Sequence, residues 1–124
     1  MESLDVYTRQ CSIGVNTRQL VVMGATLANG GVNLVSGEKV LEARFVPKVL
    51  ALMMTAGVYN ESGAWTFEVG LPAKTGVGEG IVAVVPGKMA VAAFSPRLNQ
   101  AGNNVRAMRA IEYVSERLGL GLFQ

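Results

Sequence analysis

The chain has 124 residues, half of them hydrophobic, which is enough apolar surface for one folded unit with a real core. Its net charge is only +2 and its basic residues are scattered rather than gathered in a stripe, which excludes nucleic acid as the main partner. With no histidine and Asp5 as its single aspartate, it lacks the parts for Ser-His-Asp or Cys-His catalysis and for imidazole metal sites, so no metal is expected.

The first residues, Met-Glu-Ser-Leu-Asp, carry no basic segment followed by an apolar run, and so no secretory signal is read there. Cys11 is the single cysteine; it cannot form an intrachain disulfide and fits a reducing compartment, which makes the cytoplasm the expected location. By residue type it reads as a small buried hydrophobe rather than a reactive thiol.

Asn16 or Thr17 can cap a helix that runs to Ala28, and Asn29-Gly30-Gly31 supplies residues that tolerate positive φ at its end. Its apolar residues point in nearly every direction, which predicts a helix packed on several sides. A polar turn follows at Asn33–Lys39. A second apolar helix is expected over Phe45–Met54, with Pro47 in its first turn.

Between Gly57 and Gly80 the glycines, Asn60, Ser62 and Pro72 predict loops, with at most short strands around Trp65–Val69. Sites are expected in that region. Ile81–Val85 and Met89–Phe94, joined by Pro86-Gly87-Lys88, read as an antiparallel hairpin buried on both faces. Beyond Asn103, residues Ala107, Met108, Ala110, Ile111, Val114 and Leu118 share one helical face that should cover the hairpin.

The inventory is α+β: helices over about 16–29, 43–56 and 103–118 and a hairpin over about 80–95, in one unit of residues 1–124. No apolar run approaches the roughly 18 residues that span a bilayer, because Pro47-Lys48 and Pro86-Gly87-Lys88 interrupt the candidates; a soluble protein is expected. Two or three strands make a poor independent sheet. With a charged fraction of only 16%, this predicts a covering surface from a missing segment or from a homo-oligomer.

Lys74-Thr75-Gly76 precedes the hairpin, and this triplet marks β-lactamases and penicillin-binding enzymes, where it accompanies a Ser-x-x-Lys nucleophile motif. There a lysine gives positive potential, a hydroxyl donates a hydrogen bond and a backbone N–H stabilises an oxyanion. The plain structural reading is that Gly76, Gly78 and Gly80 make a tight strand entry while Lys74 points to solvent. Ser36-Gly-Glu-Lys39 matches Ser-x-x-Lys too, but Gly37 and its polar neighbours predict a surface turn, not the buried helix start that chemistry needs. Tyr7 and Tyr59 adjoin loop or helix ends from which a side chain can reach a cleft, whereas Tyr113 lies on a polar helix face.

Taken together, Tyr7-Thr-Arg-Gln-Cys-Ser-Ile13, Leu27-Ala-Asn-Gly-Gly-Val-Asn33, Gly57-Val-Tyr59 and Gly70-Leu-Pro-Ala-Lys-Thr-Gly-Val-Gly78 resemble the C-terminal portion of the serine-dependent glutaminases, in the β-lactamase/transpeptidase-like superfamily. The resemblance implies an antiparallel sheet packed with helices, incomplete in this chain, and a nucleophilic serine in an upstream segment. It also implies that Tyr7 stands beside that serine, that Tyr59 contacts substrate and that the Val77 N–H belongs to the oxyanion hole. Lys74 would line the site electrostatically, and Thr75 replaces a serine common in the family while keeping the hydroxyl. The implied reaction is hydrolysis of L-glutamine to glutamate and ammonia without a cofactor, with a lysine or Tyr7 taking the serine proton. A non-catalytic binding or assembly module and another serine acyl-transfer enzyme, such as a β-lactamase, are the competing readings.

Overall fold

In the computed structural model, which describes residues 2–123, helix α2 (Thr17–Ala28) starts on a reciprocal cap. The Asn16 side chain accepts from the Gln19 N–H at 2.9 Å, and the Asn16 N–H donates to Gln19 Oε1 at 2.9 Å. Two donors that a helix start leaves without partners are thereby satisfied. At the other end Gly30 (φ 67°) and Gly31 (φ 95°) turn the chain away, as their lack of a Cβ allows. Ahead of α2 stands a helix that the sequence reading did not place, α1 (Glu2–Cys11). None of its residues is buried, so its stripe of Leu4, Tyr7 and Cys11 has no core beneath it to reveal it.

Helix α3 (Val46–Ala56) has Pro47 in its first turn, as expected. The region expected to hold strands near Trp65 instead forms α4 (Ser62–Glu68). Trp65 is buried in one core with Ile81 and Ile111 and donates from Nε1 to the Leu71 carbonyl at 2.7 Å, and this anchoring outweighs the β preference of Trp65, Thr66 and Phe67. Strand β1 (Ala73–Thr75) lies where loop was expected, because its pairing with β2 (Gly80–Val85) fixes it, Lys74 standing opposite Val82. β2 pairs with β3 (Met89–Phe94) in the hairpin register Val82 to Ala92.

The three strands form one antiparallel sheet in the order β1-β2-β3, between two helical layers. Alternation along β2 sends Ile81, Ala83 and Val85 to one core with Trp65 and with Ala107 and Ile111 of α5 (Val105–Leu118). Val84 points the other way, into a core with Ala28, Val46, Leu50 and Met53 of α2 and α3. Gly24 lets α2 approach the sheet: a Cβ there would lie 2.8 Å from Ala90 Cβ.

Three burial expectations change. Met23 is 49% exposed, so α2 packs on the sheet side and not all round. β3 is a half-buried edge strand, with only β2 beside it. On α5 the buried stripe is Ala107, Ile111 and Ser115, while Leu118 is exposed. Among the described residues, no helix is long and apolar enough to cross a membrane.

Candidate functional site

β1 divides the Lys74-Thr75-Gly76 triplet between two faces, as strand alternation requires. Lys74 emerges on the open face; its ammonium stands 4.6 Å from the centroid of the Tyr59 ring and donates to the Gly57 carbonyl at 3.3 Å. It does not simply extend into solvent. Partial burial lowers its pKa from 10.5, because a desolvated ammonium is disfavoured. Thr75 is buried, and its hydroxyl donates inward to Asn103 Oδ1 at 2.6 Å. The hydroxyl expected to serve a substrate is therefore committed to the interior, since residue 75 has the parity of Ala73 and not of Lys74.

Tyr59 opens a short 3-10 turn (Tyr59–Glu61) and has φ 53°, a left-handed conformation that is strained for a bulky side chain. The residues around it hold it there. Ser62 Oγ accepts from the Val58 N–H at 2.9 Å and donates to the Tyr59 carbonyl at 2.7 Å. The Val58 carbonyl in turn accepts from Asn103 Nδ2 at 3.1 Å.

Val77 lies in the tight β1–β2 loop, closed by Gly76 N–H to Gly80 O at 3.0 Å and Glu79 N–H to Gly76 O at 2.9 Å. Positive φ in this loop falls on Glu79 (70°) and not on Gly76 or Gly78. Val77 is exposed, and its N–H has no acceptor among the described residues. It stands close to Tyr59: a Cβ added to Gly102 would lie 3.7 Å from Tyr59 Cε2 and 3.8 Å from Val77 Cγ1.

Beside these residues runs an apolar groove of about 500 Å³, walled by Ile13, Val15, Leu20, Lys74, Gly76 and Phe94, the size of a small-molecule site. Tyr7 occupies the middle of α1 and not a helix end, and it too is exposed. Its pKa is raised, first by the Cys11 side chain one turn along, as hydrogen-bond partner and as charge, and least by Tyr59. Cys11 itself is exposed, not buried, because α1 has no core contact.

Ser36 lies in the surface turn expected of it. Its motif partner Lys39 pairs with Glu42 at 2.9 Å, so the two do not form a nucleophile and its base. Among the described residues no group of three metal-ligating side chains assembles.

Sequence reasoning missed Glu61, Ser62, Asn99, Asn103 and Asn104. Glu61 accepts from Asn99 Nδ2 at 3.0 Å and from Asn103 Nδ2. These contacts join residues far apart in sequence; the only local signal was the Asn-Asn pair before α5.

The sequence model of the glutaminase family matches residues 1–123. A glutaminase of Mycobacterium ulcerans is 57% identical over 99% of this chain and 38% of its own length. One from Escherichia coli K12 is 53% identical over the whole chain and 40% of its own length. Among solved structures, a probable glutaminase superposes on all of this chain with a TM-score of 0.97 at 53% identity, the match covering 40% of that protein. A Bacillus subtilis glutaminase, captured as a covalent complex with 5-oxo-L-norleucine, gives 0.92 at 30% identity over 98% of this chain and 44% of its own. The chain thus spans about two-fifths of the length of the curated relatives it matches. With its α+β fold and nearly every residue matched, the chain belongs to the glutaminase family.

Proposed function

We propose that this chain forms the C-terminal part of a glutaminase that hydrolyses L-glutamine to L-glutamate and ammonia. The observation that carries the reading is the convergence of Tyr59, Lys74 and Val77 beside a small-molecule groove in a chain of this family. The nucleophile is a serine of a preceding segment. Its hydroxyl oxygen bonds to the δ-carbonyl carbon, the C–N bond breaks, and the nitrogen leaves as ammonia with the hydroxyl proton. Water then cleaves the γ-glutamyl ester and restores the serine, without metal or organic cofactor.

In this reading the unengaged Val77 N–H receives the oxyanion. Tyr59 contacts the substrate, and Lys74 supplies positive potential from the same face. Tyr7 stands beside the nucleophile, and either it or a lysine of the preceding segment takes the serine proton. We further infer that the protein self-associates in the cytoplasm. Exposed Leu52 and Phe67 support association, and a monomer in sedimentation would contradict it.

The test joins this chain to the part of the Mycobacterium ulcerans glutaminase that precedes the matching region, and treats the product with 6-diazo-5-oxo-L-norleucine. A covalent adduct on a serine of the preceding segment is expected. An adduct on Ser36, or none on a folded protein, would refute the assignment.

A further inference from the structure

Two asparagines at the start of α5 are both fully buried, and neither side chain caps that helix. Asparagine is a favoured capping residue, so its diversion from this role requires another use for the side chain. The cap donor is met from elsewhere: the Ala107 N–H donates to Ser95 Oγ at 3.0 Å.

Asn103 directs three side-chain hydrogen bonds to the Tyr59 side of the site. Nδ2 donates to the Val58 carbonyl at 3.1 Å and to Glu61 Oε2 at 2.6 Å, and Oδ1 accepts from the Thr75 hydroxyl. It thus ties both flanks of the strained Tyr59 to β1. Asn104 reaches the opposite way. Nδ2 donates at 2.8 Å to the carbonyl of Glu79, the left-handed residue that closes the Val77 loop. That carbonyl also accepts from the Ser95 N–H at 3.0 Å, so the loop is pinned twice. Asn104 Oδ1 is buried without a partner among the described residues, which costs stability. Gly102 (φ 86°), just before the pair, lies beside both Tyr59 and Val77.

We propose that Asn103 and Asn104 are positioning residues that set Tyr59 and the Val77 loop against each other, Asn103 holding the first and Asn104 the second. Neither touches the reacting atoms. The catalytic consequence rests on the glutaminase reading; the geometric one does not.

The test uses the joined protein described above. In Asn104→Ser, the serine is too short to reach Glu79 but suits the start of a helix. Amide exchange at Gly76 and Glu79, whose N–H groups close the loop, should quicken about tenfold, with little change at Glu61. The value of kcat should fall about tenfold with KM nearly unchanged, because an oxyanion donor acts on the transition state. Asn104→Leu, which removes the unpartnered oxygen, should behave alike. Thr75→Val strips the hydroxyl from Asn103 and should raise KM several-fold, while Thr75→Ser should restore it. Unchanged exchange, or a lower melting temperature with kcat and KM intact, overturns the proposal. If the parent protein fails to turn over glutamine, the glutaminase reading falls, and the exchange pattern alone decides the proposal.

Discussion

The Lys74 ammonium and the Tyr59 ring face each other at 4.6 Å, so a strand residue and a turn residue from separate stretches of chain share one surface. The pair predicts that Tyr59→Phe lowers kcat/KM about three- to tenfold, the effect of one hydrogen bond to substrate, while the ring keeps its contact with Lys74. Steady-state kinetics on the joined protein reads this directly, and unchanged kinetics would remove the Tyr59 hydroxyl from the site.

Lys74 also makes stability depend on pH. Its folded pKa is below 10.5, so between that lowered value and 10.5 the unfolded chain binds more protons than the folded one. Stability contributed by this group therefore rises with pH across that window and is absent below it. Exposure of the side chain keeps the effect small. Denaturant titrations of the chain and of Lys74→Met at several alkaline pH values should show a slope that the variant loses.

Gly24→Ala should destabilise the fold, although alanine is the better helix former by about 1 kcal/mol. The added methyl would stand 2.8 Å from Ala90 Cβ, and overpacking costs about 1–3 kcal/mol. A raised unfolding midpoint would contradict the close approach of α2 to the sheet.

Trp65→Phe should cost about 1–3 kcal/mol, because the Leu71 carbonyl loses the indole N–H in a buried setting. Chemical denaturation followed by circular dichroism measures it, and a neutral result would mean that water or a neighbour replaces the donor.

Local chemistry made part of this molecule legible in its sequence. Asn16, Pro47, Gly30-Gly31 and the Pro86-Gly87-Lys88 turn each mark a boundary through their own backbone preferences, and α2, α3 and the hairpin stand where those residues put them. Helix α4 escaped because burial of Trp65 in one core with Ile81 and Ile111 defines it, and strand β1 because its pairing with β2 does. α1 escaped because it buries nothing. The Lys74-Thr75-Gly76 motif drew attention to Lys74 and the loop after it, but it does not disclose that the Thr75 hydroxyl turns inward. Its bond to Asn103 crosses the fold, and no spacing rule could disclose it.

Glutamate release from L-glutamine, measured for this chain alone and for the chain joined to a glutaminase N-terminal part, tests the central claim most directly. Turnover by the joined protein and none by the chain alone is the predicted result. Turnover by the chain alone would place the nucleophile within these residues, while a folded but inactive joined protein would make this scaffold a non-catalytic module.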